Sequence, residues 1–279
     1  MTSATDAPVL TLHDGVEMPQ LGFGTWQIAG EETQERVEEA LAAGYRHVDT
    51  AAAYRNEAGV GAAIAASGLR REEVFVATKL WNSEQGYDSA LRAFEKSLER
   101  LGTGHVDLYL IHWPLPGWDR FLDTWRAFER IREEGGARSI GVSNFRIEDL
   151  ERLQREAEQR PTVNQVELHP RFQQAELRAW HEDHGIATEA WSPLAQGDLL
   201  EDGTIETIAA HQDRSPAQVI LRWHLQVGNV VIPKSSSPQR IRENYALFDF
   251  ALSEDDMAAI ERLETGERIG PDPGTFSVA

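Results

Sequence analysis

The sequence predicts an α/β protein, a closed (β/α)8 barrel preceded by a short N-terminal β-hairpin. Three observations predict it. Short apolar runs alternate with longer segments of helical period along the chain. The apolar runs of the alternating part number eight. The length, 279 residues, suits a barrel, which takes about 250. Periodicity alone leaves a doubly wound sheet open; eight strands in βα order favour closure. No low-complexity linker or break in composition divides the chain, so residues 1–279 read as a single domain.

The hairpin comes first. Apolar runs at 9–12 and 16–18 flank His13-Asp14-Gly15, and Asp-Gly between short apolar runs is a strong hairpin signal. Barrel strands are expected at 21–24, 47–49, 74–78, 107–112, 139–142, 163–166, 187–190 and 230–232. Amphipathic helices are expected at 32–43, 57–67, 89–101, 121–132, 147–157, 175–184 and 216–227. Gly44 and Gly68 stand just past helix ends, and Ser215-Pro216 supplies an N-cap and a first helical residue.

The composition is that of a globular protein, 41% apolar and 26% charged. A net charge of −19 repels nucleic acid and anionic membrane surfaces, so neither is an expected partner. An anionic ligand would then need local cations. Three lysines (Lys79, Lys96, Lys234) stand against 24 arginines, and Lys79 and Lys234 fall in the motifs below; lysine serves chemistry that arginine cannot, through its more adjustable pKa. The chain has no cysteine, which excludes disulfides, thiolate catalysis and Cys-ligated zinc. Residues 1–9 are polar, and no run is long enough to span a bilayer, so the expected location is the cytoplasm.

In a barrel, chemistry collects where strands end. The second strand ends in Asp49 and leads to Tyr54; the third ends in Thr78-Lys79; the fourth leads to His112-Trp113-Pro114. The fifth gives Ser143-Asn144, the sixth Asn164-Gln165, the seventh Trp191-Ser192-Pro193 and the eighth Pro233-Lys234-Ser235. Taken singly, each has a plain reading: Asp49 and Lys79 as an ion pair closing the barrel mouth, Tyr54 as a packed loop tyrosine, His112 as a hydrogen-bonded core histidine. Together they form a ring of polar groups at one rim. Trp26, Trp81 and Trp113 each follow a strand and would make an aromatic pocket, with Ala51 leaving space for substrate. Gly59-Val-Gly61 lies inside a helical segment and reads as packing, not as a nucleotide loop. His181 and His184 have metal-ligand spacing, but the polar end of a helix reads as a solvated face, and no metal is expected.

The segments Gly44-Tyr-Arg-His-Val-Asp-Thr-Ala-Ala-Ala-Tyr54 with Asn56-Glu57, Leu108-Tyr-Leu-Ile-His-Trp-Pro114, Ser139-Ile-Gly-Val-Ser-Asn-Phe145, Asn164-Gln-Val-Glu-Leu-His-Pro170 and Ile232-Pro-Lys-Ser235 resemble those of the aldo-keto reductases. Within that family the chain looks closest to the prokaryotic 2,5-diketo-D-gluconate reductases. The resemblance implies a TIM-barrel oxidoreductase with a catalytic tetrad of Asp49, Tyr54, Lys79 and His112. Tyr54 would give a proton to the carbonyl oxygen. A cation about 4 Å from the phenol is worth roughly 4 kcal/mol at intermediate dielectric, enough to bring its pKa toward neutrality. Lys79 would be that cation, Asp49 would hold it, and neutral His112 would orient the carbonyl.

The resemblance also implies NADPH bound in extended form across the rim. Trp191 would stack on the nicotinamide, and Ser143, Asn144 and Gln165 would bond its carboxamide, with Ser192 and Leu194 beside them. Lys234, Ser235, Ser236 and Arg240 would gather around the 2′-phosphate, and Glu243 and Asn244 would face the adenine. Pro238 departs from the family pattern by removing a backbone donor there, which weakens the expected preference for NADPH. The Gly/Pro-rich tail would help select substrate, with Phe276 as a residue that reaches the pocket. The expected substrate is a small α-keto, dicarbonyl or aldehyde compound, handled by a monomer with no obligate protein partner. Two other classes stay open: an NADPH-binding regulatory module with negligible turnover, and a metal-assisted hydrolase or lyase using Asp49 and His112, which would need further ligands at the strand ends.

Overall fold

The computed structural model describes residues 7–278; residues 1–6 of the polar N-terminal stretch and Ala279 lie outside it. Strands β1 (Val9–Thr11) and β2 (Glu17–Pro19) pair antiparallel, with Leu10 opposite Met18. Eight parallel strands follow: β3 (Phe23–Gly24), β4 (His47–Asp49), β5 (Phe75–Leu80), β6 (Val106–Ile111), β7 (Ala137–Ser143), β8 (Val163–Glu167), β9 (Ala187–Trp191) and β10 (Val230–Val231). They pair in sequence order. Leu21 bridges to Val231 in parallel, and the Gly22 amide donates to Val231 O at 2.9 Å, which joins the first strand segment to the last. All eight strands fall where the sequence predicts them. The first is shorter than 21–24 because Leu21 makes only this bridge before β3 begins.

The helices are α1 (Gly30–Ala43), α2 (Glu57–Ala66), α3 (Tyr87–Leu101), α4 (Phe121–Glu133), α5 (Ile147–Glu156), α6 (Ala175–Asp183), α7 (Gly203–Gln212), α8 (Pro216–Gln226), α9 (Pro238–Tyr245) and α10 (Glu254–Glu261). Their apolar faces pack on the outer faces of the strands in one continuous core. Helices α7, α9 and α10 are not marked by the apolar periodicity. Each instead begins at a capping side chain: Asp202 accepts from Thr204 N, Ser237 from Arg240 N, and Ser253 from Asp256 N. Gly61 is a packing residue, since a Cβ there would stand 2.0 Å from Leu101 O at the end of α3.

The interior of the barrel is two-ended. At the N-terminal end the hairpin residues Leu12, Val16 and Met18 form a separate apolar cluster with Phe75, Leu108, Leu110 and Val230. Met18 is fully buried, so the hairpin plugs the barrel from below. Asp49, Lys79 and His112 stand toward the other end. Among the described residues no helix is long and apolar enough to cross a membrane.

Candidate active site

The C-terminal ends of the strands open into a cleft of about 1860 Å³. It runs from Trp26 and the Tyr54 loop, past His112 and Trp191, to Lys234, Arg240 and the start of α8. The rim backbone is unusual in a regular way. Gln27, Arg55, Asn144 and Ser192 have φ of 58°, 58°, 64° and 49°. Each directly follows a residue that lines the cleft: Trp26, Tyr54, Ser143 and Trp191. Left-handed backbone at a non-glycine residue costs about 1–3 kcal/mol and persists where the surroundings over-determine it. Here it turns the chain immediately after each side chain that the cleft presents.

Asp49 ends β4 and Lys79 lies in β5, one strand over, with both side chains withdrawn from water. Lys79 Nζ donates to Asp49 Oδ1 at 2.6 Å and to Thr50 O at 3.0 Å. Lys79 is not on the cleft wall; it sits behind Tyr54, with Nζ 5.1 Å from the centre of the Tyr54 ring. Burial alone would lower the Lys79 ammonium, but Asp49 and Tyr54 outweigh it and hold it above its ordinary value, so the cation persists. Tyr54 closes a single 3₁₀ turn, 52–54, after extended Ala51. That loop is braced from below: Thr50 Oγ1 donates to Asn56 Oδ1, Asn56 Nδ2 donates to Thr25 O, and Glu57 accepts from Thr78 Oγ1 and Arg100 Nε. The Asn56-Glu57 pair of the sequence motif is thus the scaffold of the tyrosine loop.

One electrostatic expectation is overturned. Desolvation pushes the Tyr54 phenol above its ordinary value, and Lys79 only partly offsets it, because Asp49 sits beside the ammonium and cancels much of its field. The phenol is therefore fully protonated at neutral pH. His112 matches its expectation: burial and Lys79 both hold the imidazole well below its usual range, so it is neutral. Its ring meets Tyr54 and Trp81 edge-on, with centroids 5.8 and 5.2 Å apart. Its Nδ1 is buried without a partner, which leaves Nε2 as the nitrogen for the cleft.

Beside these groups runs a hydrogen-bonded belt. Asn144 Nδ2 donates to His112 O, Trp191 Nε1 donates to Asn144 Oδ1 at 2.9 Å, and Ser143 Oγ donates to Gln165 O. Gln165 Nε2 donates to Asp49 Oδ2 and to Glu189 Oε2. Asn144 and Gln165 thus use their amide hydrogens within the protein, and Gln165 Oε1 is the acceptor left over. Ser143, Asn144, Gln165, Trp191, Ser192 and Leu194 all line the cleft. So, farther along, do Lys234, Ser235, Ser236, Arg240, Glu243 and Asn244. Neither Lys234 nor Arg240 has a carboxylate within ion-pair distance among the described residues. Ser237 caps α9 with Oγ toward Arg240 N, and Pro238 occupies the first turn, where its missing donor would be unpaired in any case.

The aromatic wall is present: Trp26, Trp81 and Trp113 line the cleft, and the Phe276 ring lies 4.2 Å from that of Trp113. Ala51 is an exception. It is fully buried in extended backbone just before the 3₁₀ turn, and off the cleft wall, which Ala52 and Ala53 line instead. His181 is a second correction. It is fully buried, not solvated, with Nδ1 against Thr188 Oγ1 and Nε2 against Asn164 Nδ2, and burial lowers it to about 3. His184 turns away to stack on Trp180.

Sequence reasoning missed the way the tail is fastened. The buried carboxylate of Glu167 accepts from the amides of Ile269 and Gly270 at 2.6 and 2.9 Å. This seats 269–271 on the cleft wall beside Trp191, so closely that a Cβ on Gly270 would fall 2.4 Å from the indole. An acid ending an apolar strand is costly unless paired, and that was the available signal.

Comparison with known proteins agrees with this architecture. The model of the aldo/keto reductase family matches residues 20–265. The chain belongs to that family. An aldo-keto reductase of Mycolicibacterium smegmatis is 56% identical over 271 residues, covering 97% of this chain and 98% of the relative. The glyoxal reductase of Bacillus subtilis is 53% identical over 263 residues, covering 94% and 95%. Among solved structures, a mutant of Gox0644 in complex with NADPH superposes with a TM-score of 0.95 at 48% identity, covering 98% of this chain and 100% of that one.

Proposed function

We propose that this aldo-keto reductase reduces small dicarbonyl and α-keto compounds, glyoxal and methylglyoxal among them and 2,5-diketo-D-gluconate as a larger candidate, with NADPH as reductant. The observation that carries the reading is the assembly in one place of a protonated phenol, a permanent buried cation behind it and a neutral imidazole beside it.

The residues suit the cofactor. The cleft is long, Trp191 offers a partly exposed indole face, Gln165 Oε1 is left as an acceptor, and two cations without carboxylate partners among the described residues stand near the α9 N-terminus of a strongly acidic protein. Trp191 and Gln165 would hold the nicotinamide end; Ser143 and Asn144 brace them rather than reach out. Lys234, Ser235, Ser236 and Arg240 would hold the 2′-phosphate, and Glu243 and Asn244 would flank the adenine. When bound, NADPH supplies hydride to the carbonyl carbon.

The proton is the protein's part. Tyr54 holds it at Oη and delivers it to the carbonyl oxygen as negative charge grows there. Lys79, 5.1 Å from the ring centre, stabilises the phenolate left behind, with Asp49 offsetting part of its field. Asp49 fixes the ammonium. His112, with its proton on Nε2, donates to the same oxygen and selects the carbonyl's orientation. Trp26, Trp81, Trp113 and Phe276 exclude water and suit a small, flat substrate. Every group comes from one chain, which fits a monomer acting on diffusible small molecules in the cytoplasm, as a single barrel domain. A regulatory module with negligible turnover would not need the phenol, ammonium and imidazole assembled.

The test is NADPH consumption against a carbonyl panel: glyoxal, methylglyoxal, 2,5-diketo-D-gluconate and an aromatic aldehyde. The expected result is highest kcat/KM on the dicarbonyls. NADPH binding without turnover on any member would contradict the reading.

A further inference from the structure

Beneath the cleft floor lies an acid–base pair to which the reaction gives no role. Glu189 in β9 and His47 in β4 are both wholly buried. Glu189 Oε1 and His47 Nε2 face each other at 3.5 Å, and neither atom has another hydrogen-bond partner among the described residues. The other oxygen of Glu189 accepts from Gln165 Nε2 at 2.8 Å, while the same nitrogen donates to Asp49 Oδ2 at 2.9 Å.

The proton inventory of this chain is restrictive. His47 Nδ1 lies 3.3 Å from Pro19 O, which can only accept, so Nδ1 carries a hydrogen. In a neutral ring Nε2 is then an acceptor, and the contact with Glu189 needs one further proton, on the carboxyl or on the ring. In either state the pair is neutral as a whole. Gln165 meanwhile directs one amide hydrogen to each of two carboxyl groups. That fixes the amide, so its carbonyl oxygen, not its nitrogen, is offered to the cleft.

We propose that Glu189 is a positioning residue for carbonyl reduction: it clamps Gln165 with Oε1 toward the nicotinamide carboxamide, and its shared proton with His47 keeps a second negative charge away from Asp49 and Lys79. The inference rests on the reductase reading above. Electrostatics supports the placement of that proton. Burial and Asp49 push Glu189 up to about 8 against the opposing pull of Gln165 and Lys79, and burial pushes His47 down to about 4. The carboxyl is thus the protonated partner at neutral pH. The charged or titratable groups acting on Glu189 are His47 and Asp49 from β4 and Lys79 from β5; Tyr54 feels its charge in turn. Above pH of about 8, ionised Glu189 opposes formation of the Tyr54 phenolate, and turnover falls.

Glu189→Gln and Glu189→Leu separate the two roles. Glutamine keeps an acceptor for Gln165 and a donor for His47 but cannot ionise. Its NADPH KM is expected within about threefold of wild type, less than the tenfold that a lost hydrogen bond brings, while the alkaline fall in kcat moves to higher pH. Leucine frees Gln165, and the NADPH KM is expected to rise about tenfold. Wild-type NADPH KM in the leucine variant together with an unmoved alkaline limb in the glutamine variant would overturn the proposal. Wild type run alongside keeps the two ideas apart. If wild type binds NADPH but reduces no carbonyl, the reductase reading fails, and NADPH titration by tryptophan fluorescence across pH still decides whether Glu189 acts through Gln165. The near-isosteric glutamine variant serves should the leucine variant not fold.

Discussion

The two ends of the barrel are made from the same strands and have opposite chemistry. At the N-terminal end, Phe75, Leu108 and Val230 meet Leu12, Val16 and Met18 in a sealed apolar plug. Farther along two of the same strands, at or just past their ends, the side chains are Lys79 and His112. The lower end contributes to stability chiefly by apolar burial, with Asp14 of the hairpin turn bonded to Ser139 Oγ and Arg132 at its edge. The upper end puts an ion pair and a hydrogen-bonded belt where water is excluded, and holds them with strained turns; the neutral carboxyl–imidazole pair lies between the two ends, Glu189 level with Val230 and His47 with Phe75. The difference teaches that stability and activity are separable by position along a strand, and substitutions at the two ends should sort accordingly.

Lys79 is the position where that division should break. Lys79→Met removes the phenolate's cation and leaves Asp49 as a buried charge without its ion partner, so both activity and stability fall. Unpairing a buried charge costs about 3–5 kcal/mol, and kcat should drop by on the order of 10³. Denaturant unfolding and steady-state kinetics on one preparation check both; unchanged stability would mean that Gln165 suffices to hold Asp49. The plug end should show the opposite pattern. Met18→Ala should cost about 2–5 kcal/mol, with kcat and KM unchanged well below the melting temperature. A kinetic effect there would mean that the plug sets the height of the strand ends. The mildest sharpening is Arg240→Ala, far from the reacting atoms: NADPH affinity should weaken about tenfold, with NADH nearly unmoved. Equal weakening of both would place the 2′-phosphate elsewhere.

Much of this was legible in the sequence because the barrel rule ties chemistry to the residue that follows a strand. That rule placed Asp49, Tyr54, Lys79 and His112 in a wider ring of strand-end polar residues, the family resemblance singled them out as a set, and the structure brings them together. What escaped has physical causes. Glu189 lies within a strand and Glu167 ends one, and the sequence does not show whether a carboxyl is neutral, paired to a histidine five strands away in sequence, or fastening a tail 102 residues later. Ala51 looked like pocket space because its neighbours are small, but it is fully buried in extended backbone just before a 3₁₀ turn. The phenol's direction of shift was misjudged because a cation near a tyrosine is visible in sequence, whereas the desolvation around it and the carboxylate screening the cation belong to the folded site.

The central claim is that Tyr54 supplies the proton and contributes little to holding the cofactor. Tyr54→Phe should be assayed beside wild type, following NADPH consumption on a substrate from the panel and NADPH binding by quenching of tryptophan fluorescence. The account predicts a fall in kcat on the order of 10³ with NADPH affinity within about threefold of wild type. Retained turnover in the phenylalanine variant would contradict it, and would move the acid to His112.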